Sequence, residues 1–345
     1  MPTIICSPVR PILPRRRSRD FSVPAVPDYT GLIVAIRKTS LTKRRPGQPA
    51  PPELPALHIA APWRLQKTRG LEILELAPLL KFPWLVHGFS TRPGGISPLE
   101  SEKVLNLGFM EWDTREDVLE NRRLFQAALG ASDFELTSLK QIHSDVIRIF
   151  PQSTANPCKG DASATNRPGL LLAIQTADCV PILLVDPKKR AVAAIHAGWR
   201  GTLARINQKA VGRMQFEFGS KPADLIAAIG PSIGPGCYEV AAEFVTKFTA
   251  QFADAADYFD EPRSGEEPNP LQWLNMKPPG HQPPPRNVHL DLRKANRSQL
   301  VAAGLLGKNI YVSDLCTACH TNLLFSHRRE GPLSGRLLAT IGIRP

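Results

Sequence analysis

Residues 170–202 read LLLAIQTADCVPILLVDPKKRAVAAIHAGWRGT, where two apolar runs, 170–174 and 191–195, each lead to a residue able to do chemistry, Cys179 and His196. Unbroken apolar runs of this length predict strands buried on both faces. The polar stretch Asp186-Pro187-Lys188-Lys189 predicts an exposed hairpin joining them as a strand pair.

The pattern extends outward from this pair. ILELAPLLKFPWLVHGFSTR is dense in apolar positions, so order is expected to begin near Leu71 and to reach a turn at Arg92-Pro93-Gly94-Gly95. Thr114, with acids behind it, predicts an N-cap, and Val118, Leu119, Arg122, Leu124, Phe125 and Leu129 carry a surface helix as far as Gly130. Val146, Ile147 and Ile149 predict a strand within 138–150, with Gln141 and His143 near its start. Helices are expected over 203–218, 243–252 and 291–303, and strands over 225–229, 309–312 and 337–343. Strands interleaved with helices, with no linker dividing residues 70–345, predict one mixed α/β (α+β) domain.

Two segments fall outside that domain pattern. Residues 1–69 hold 12 of the 34 prolines together with the clusters Arg15-Arg16-Arg17 and Lys43-Arg44-Arg45, and are expected to form a disordered basic tail. Residues 261–286 hold a further 8 prolines and predict a Pro-rich insert running over the surface.

Charge follows the same division. Thirteen of the 43 basic residues but three of the 31 acids lie in the first 70 positions, so most of the net charge of +12 belongs to the tail. The nearly neutral remainder carries no recognition-helix or base-stacking pattern, which argues against nucleic-acid binding through the body. No apolar run reaches bilayer-spanning length, and Pro and Arg interrupt the N-terminal apolar pieces where a signal peptide needs continuity. The expectation is therefore a cytoplasmic protein without a membrane anchor. Six cysteines in 345 residues are too sparse for a disulfide framework and read as core thiols, metal ligands or nucleophiles.

His143, Cys179 and His196 form the strongest chemical constellation. Two imidazoles and a thiolate suit Zn2+, and three protein ligands leave a fourth position open for catalysis. Their spacing is too long for a zinc finger and fits ligands gathered from the ends of separate strands. The alternative is a pair of hydrogen-bonded histidines beside a buried thiol. CTACH at 316–320 matches the attachment pattern of a c-type haem, but no export signal accompanies it and haem is not expected; a second zinc, a redox pair or a packed turn are the other readings. Arg92 in STRPGG, Arg200 in GWRG, and Arg328 and Arg329 in SHRREG sit in or near glycine turns that suit anion binding. Asp161 in KGDASAT reads as an Asx-turn residue or a site carboxylate.

STRPGGIS, NLG at 106–108, ENR at 120–122, QIHS, TADCVPILL, HAGWRGT, IGPSIGPGCYEV, LDLRKANRSQL, CT, FSHRREG and Gly335-Arg336 together resemble the laccase-domain family over about residues 70–345. That family is also named for purine nucleoside phosphorylase and peptidoglycan editing factor. The resemblance implies mixed β-sheets covered by helices, with zinc held by His143, Cys179 and His196. It also implies phosphorolysis of purine nucleosides (adenosine, inosine, methylthioadenosine) by phosphate, with adenosine deamination as a companion activity. Hydrolysis of a muramyl precursor carrying L-Ser is another activity attached to the family. A non-catalytic, zinc-stabilised partner-binding protein is the alternative from a different class, and it calls for a fourth protein ligand. Within the enzyme reading, phosphate or water takes the open metal position, Arg92 and Arg329 orient phosphate, and Asp178 or Asp161 supplies the acid. Copper oxidation fits poorly, because the chain has 8 histidines and no H-x-H pair. Ser144 replaces the glycine usual after the Q-x-H histidine, and His327 replaces the aromatic usual before the paired arginines. Nothing in the pattern fixes an oligomeric state.

Overall fold

A computed structural model of the chain describes residues 58–150, 158–260 and 287–345. The insert expected at 261–286, and residues 1–57 of the expected tail, lie outside the described residues. Order begins earlier than Leu71. Trp63 and Leu65 pack apolar faces inward, so β1 (Trp63–Thr68) pairs with β2 (Leu71–Leu76). β3 (Leu85–Ser90) follows, and β4 (Pro93–Leu99) pairs with β5 (Glu102–Val104), so the turn expected at Arg92 to Gly95 is absorbed into a bulged strand.

α1 (Arg115–Ala128) starts where expected, because the Thr114 side chain accepts the Asp117 amide at 3.1 Å and Glu116 and Asp117 complement the helix N-terminus. The single strand expected within 138–150 divides into β6 (Glu135–Ser138) and β7 (Ile147–Ile149), with a loop between them. β8 (Ala162–Thr165), β9 (Leu170–Thr176), β10 (Val180–Asp186) and β11 (Ala191–Ala197) come next. The helix expected over 203–218 is broken where Arg205 takes a left-handed φ of 62°, giving α2 (Trp199–Leu203) and α3 (Ile206–Phe218), which Gly219 ends at φ 67°. The rest is β12 (Ile226–Ile229), β13 (Glu239–Val240), α4 (Glu243–Thr249), β14 (Phe259–Asp260), β15 (Val288–Leu290), α5 (Leu292–Ala302), β16 (Ile310–Val312), α6 (His327–Glu330) and β17 (Leu337–Ile343).

Twelve of the strands form two six-stranded mixed sheets, in the orders β1-β2-β3-β17-β9-β6 and β16-β12-β10-β11-β8-β7, and the rest form the small sheets β13-β15-β14 and β4-β5. Period-two alternation explains why the two large sheets stack. Leu170, Leu172 and Ile174 of β9 meet Leu183, Val185, Val192 and Ala194 from the other sheet in one central core. Leu171 and Ala173 point the opposite way, beneath Phe125 and Leu129 at α1, while Ile182, Leu184, Ala193 and Ile195 point outward beneath Ile206, Val211 and Met214 of α3 and Leu300 of α5. The architecture is therefore two central sheets with helices on both outer faces, and both apolar runs read from the sequence are buried on two sides.

β9 and β11 are not a pair. The hairpin at Asp186–Lys189 joins β10 to β11, while β9 belongs to the other sheet between β17 and β6. The link from β9 to β10, which carries Asp178 and Cys179, crosses between sheets. So do the link from β6 to β7, which carries His143, and the segment from β16 to β17. The registers Val180↔Ala197, Leu337↔Thr176 and Ser138↔Ala173 put these three crossings at one end of the stack, while a fourth, from β8 to β9, lies at the other end. The loop after β12 opens at that end too, since Gly230 donates to the Pro181 carbonyl at 2.9 Å.

Candidate metal centre and active-site cleft

His143, Cys179 and His196 converge at this end, and their ligand atoms all lie within 4.8 Å of one another. The two imidazoles meet edge-on, with ring centroids 5.0 Å apart. His196 is delivered by the end of β11, whose register fixes it opposite Pro181. Cys179 and His143 come from crossing links, and two left-handed residues shape those links: His143 at φ 56° and Asp178 at φ 89°. Such conformations cost a non-glycine residue on the order of 1–3 kcal/mol and gather at functional sites. Gly198 supplies the remaining room, because a Cβ there would stand 2.9 Å from the Cys179 sulfur and 3.2 Å from the His143 ring.

Asp161 organises the ligands. Fully buried, it accepts the His196 Nδ1 proton at 2.9 Å, the backbone amides of Ile142, His143 and Ser144 at 3.3, 3.0 and 2.6 Å, and the Ser144 hydroxyl at 2.7 Å. It closes the turn around His143 and holds Nδ1 of His196, which turns Nε2 toward Cys179, the arrangement usual behind a metal-binding histidine. Asp161 is not an Asx-turn residue of its own segment, because its carboxylate accepts the amides of a distant turn, Ile142 to Ser144. Ser144, which stands in place of a glycine, contributes the hydroxyl. Burial opposes ionisation of Asp161, but the bonds from His196 and Ser144 prevail and hold the carboxyl below the usual range. Burial also opposes the Cys179 thiolate, yet the His196 charge and hydrogen bonds from both imidazoles bring it down to about 6. The thiolate and Asp161 in turn overcome burial at His196 and raise it to about 9. The pocket thus favours a thiolate, the form that binds metal.

Gln141, two residues before His143, exchanges two hydrogen bonds with the Gln175 backbone, at 2.8 and 2.7 Å, and so ties the β6–β7 link to β9. Asp178 is committed to positioning: it accepts the hydroxyls of Thr317 and Ser326 at 2.6 and 2.8 Å and the Arg328 amide at 2.6 Å, which fastens the Cys179 link to α6.

A cleft of about 760 Å³ opens over the three ligands and includes Phe109, Gln175, Tyr238, His327, Arg328 and Arg336 in its walls. The Arg328 guanidinium lies 5.1 Å from the centre of the Tyr238 ring and is held by the Glu239 carbonyl. Arg336 is fixed by the carbonyls of Ser334 and Gly335 at 3.0 and 2.9 Å. Burial, with the Cys179 charge adding to it, pushes the Tyr238 phenol up to about 12.

The structure does not bring Arg92 or Arg329 to the cleft. Arg92 pairs with Glu330, donates to the Thr321 carbonyl at 3.1 Å and lies over Phe325, so it braces the wall from behind. Arg329 donates from Nε to the Ala318 carbonyl at 3.0 Å. The cleft cations are Arg328, Arg336 and Lys140. Arg336, Tyr238 and Gln175 were not singled out as chemistry, although Arg336 and Tyr238 lie inside quoted motifs; only the topology assembles them.

A Cys/His triad graded from the buried His196 through the half-buried Cys179 to the exposed His143, with three protein ligands beside an open cleft, defines a candidate metal centre of the catalytic kind, since structural zinc sites close with four. The donor set fits a borderline-soft divalent ion. The chain belongs to the family described as multi-copper polyphenol oxidoreductase laccase, whose profile matches residues 86–344. It is 37% identical over 274 residues to purine nucleoside phosphorylase YlmD of Geobacillus stearothermophilus, covering 76% of this chain and 92% of that protein. It is 33% identical over 266 residues to adenosine deaminase RL5 from an unknown prokaryotic organism, covering 74% of this chain and 93% of that protein. The crystal structure of YlmD from Geobacillus stearothermophilus superposes with a TM-score of 0.66 at 35% identity, covering 81% of this chain and 98% of that one. Among the described residues, no helix is long and apolar enough to cross a membrane.

Proposed function

We propose that the cleft catalyses phosphorolysis of purine nucleosides, with Zn2+ held by His143, Cys179 and His196. The observation that carries the proposal is the joining of a three-ligand metal site to two fixed guanidinium groups in one cleft of nucleoside size. The name of the Geobacillus relative supports the reaction class. When bound, zinc would supply a Lewis-acid centre for an anionic oxygen.

The chain's own residues account for the rest. Phosphorolysis forms a bond from a phosphate oxygen to the ribosyl C1′ as the C1′–N9 bond breaks, and the electron pair leaves with the purine. Arg336 and Arg328 offset the phosphate charge, each already oriented by carbonyl oxygens, so little reorganisation accompanies binding. Tyr238 keeps its phenolic proton at neutral pH and can donate a hydrogen bond to developing negative charge. Asp161 keeps the His196 tautomer fixed, and Asp178 holds the Cys179 link against α6. With water in place of phosphate, the same site would support deamination of adenosine, the activity in the name of RL5.

The test is metal analysis of the purified protein followed by product analysis of adenosine with and without phosphate. Phosphate-dependent adenine and ribose 1-phosphate are expected; inosine alone would mark a deaminase. Cys179→Ala should lose both the zinc and the turnover. Full phosphorolysis by the metal-free variant would overturn the proposal.

A further inference from the structure

A second group of three cysteines lies behind one wall of the cleft. Cys237, Cys316 and Cys319 place their sulfurs within 4.8 Å of one another, with Cys237 and Cys319 at 3.3 Å. We propose that these residues form a second metal site, a trithiolate centre for a thiophilic d10 cation, Zn2+ or Cu+.

Three observations support it. Ions with metal–sulfur bonds of about 2.3 Å draw sulfurs to about 3.8–4 Å apart, so the cluster needs only sub-ångström adjustment. Cys316 and Cys319 form a C-x2-C turn, closed by the Cys319 amide on the Cys316 carbonyl at 3.2 Å, a spacing that lets one turn of chain offer two sulfurs to one ion. The Gly234 amide donates to the Cys316 sulfur at 3.1 Å, the kind of bond that offsets thiolate charge around a buried ion. A side chain at Gly234 would crowd that sulfur, since a Cβ would stand 3.2 Å from it. Cys237 and Cys319 are partly buried and Cys316 is 7% exposed, so the sulfurs are shielded yet reachable by an ion.

The position gives the centre a role independent of the reaction proposed above. Cys237 immediately precedes Tyr238 of the cleft, and Cys316 immediately precedes Thr317, which holds Asp178. An ion on the three sulfurs joins the loop after β12 to the β16–β17 crossing, which otherwise meet through backbone bonds such as Thr317 to the Ser232 carbonyl at 3.1 Å.

The test is metal stoichiometry on the full-length protein purified under reductant, in anaerobic titrations with Zn2+ and, separately, Cu+. The wild type should bind two equivalents of the preferred ion. A His143→Ala/Cys179→Ser variant should keep one, and Cys316→Ser should lose one while keeping the first site. With Co2+ as probe, the His143→Ala/Cys179→Ser protein should show thiolate-to-metal charge-transfer absorption, which Cys237→Ser or Cys319→Ser abolishes. If Cys316→Ser does not fold, those two variants and metal protection of three thiols from alkylation in the wild type decide the matter. A single equivalent in the wild type, no cobalt–thiolate band in the His143→Ala/Cys179→Ser protein, or a Cys237–Cys319 disulfide in protein isolated under reductant would overturn the assignment.

Discussion

Replacing Asp161 with Asn tests the whole organisation of the centre with the smallest change of shape. The carboxylate accepts five hydrogen bonds, three from backbone amides of one turn, one from Ser144 and one from His196. An amide keeps one acceptor oxygen and turns two N–H donors toward groups that are themselves donors. If the oxygen stays with His143 and His196 on the Oδ1 side, the amide nitrogen faces the Ser144 amide and hydroxyl, which lose an acceptor that no neighbour replaces. Each buried unpaired donor costs about 1–3 kcal/mol, and loss of the charge removes the stronger part of the bond to His196. The expected loss of stability in the metal-free protein is about 3–5 kcal/mol, the range for breaking a buried charged network. In a thermal melt this corresponds to roughly 10 °C for a domain of this size. Metal affinity should fall about 10- to 100-fold, because His196 loses the partner that orients its ring. Chelator competition measures the affinity, and urea unfolding of the apo protein measures the stability. An Asp161→Asn protein that binds metal as tightly as the wild type would refute the role given to Asp161, whatever its melting temperature.

Other perturbations separate bracing from binding. Arg336→Ala should raise the phosphate KM by about 10- to 100-fold, the worth of one charge-assisted contact, while nucleoside KM moves less. Arg92→Met should leave the phosphate KM within about 2-fold yet cost about 2 kcal/mol of stability through the stranded Glu330; a large rise in phosphate KM would return Arg92 to the anion site. Gly198→Ala should weaken metal binding about tenfold or more, read by the same chelator competition, because the added carbon displaces Cys179 from His143 while the extended backbone there at φ −74° tolerates alanine. His87 should make the protein acid-sensitive. It is buried in β3, accepts the Leu76 amide at 3.0 Å, and burial lowers it from 6.5 to about 4. Between those values the unfolded chain binds the proton and the folded protein does not, so the contribution is fully present above pH ~6.5 and is lost as pH falls toward 4. Comparing urea unfolding at pH 7 and pH 4.5, the wild type should lose roughly 2–3 kcal/mol more than His87→Gln; parallel losses would show that His87 does not carry the effect.

Much of the centre was legible in the sequence because it depends on residue type at strand ends. The candidate metal triad shows as soft donors, the apolar runs announced β9 and β11, and Thr114 and Gly219 marked helix ends by local chemistry that tertiary contacts do not override. What was hidden is non-local. Nothing in an apolar run says which sheet it joins, so β9 and β11 read as a pair although β10 separates them. The break at Arg205 was invisible because the positions on either side keep helical character. Arg92 and Arg329 looked like anion ligands because glycine-rich turns commonly hold anions. Whether a guanidinium faces a cleft or a carboxylate depends on Glu330, Thr321 and Ala318, residues that periodicity does not bring near it.

The crossing links explain why the chemistry sits where it does. The interiors of the central strands β10, β11 and β17 are buried on both faces, so a polar side chain there would lose its hydration without an assured partner. At the end of the stack where three of the four crossings gather, the backbone departs from the ladder and side chains can converge without breaking strand pairing. His143 rides the β6–β7 crossing, Cys179 the β9–β10 crossing and Arg336 the end of the β16–β17 crossing, while His196 meets them from the tip of β11. The site therefore draws on both sheets, and an ion held by His143, Cys179 and His196 would link them. Stability and occupancy would then be coupled: at a free ion concentration 100 times the dissociation constant, the folded state would gain about 2.7 kcal/mol. The two left-handed residues fit the same logic. His143 and Asp178 accept strained backbone because the crossings must turn sharply to bring a ligand back over the sheet ends, and the bonds from Asp161 to the first turn and from Thr317, Ser326 and Arg328 to the second hold that strain in place.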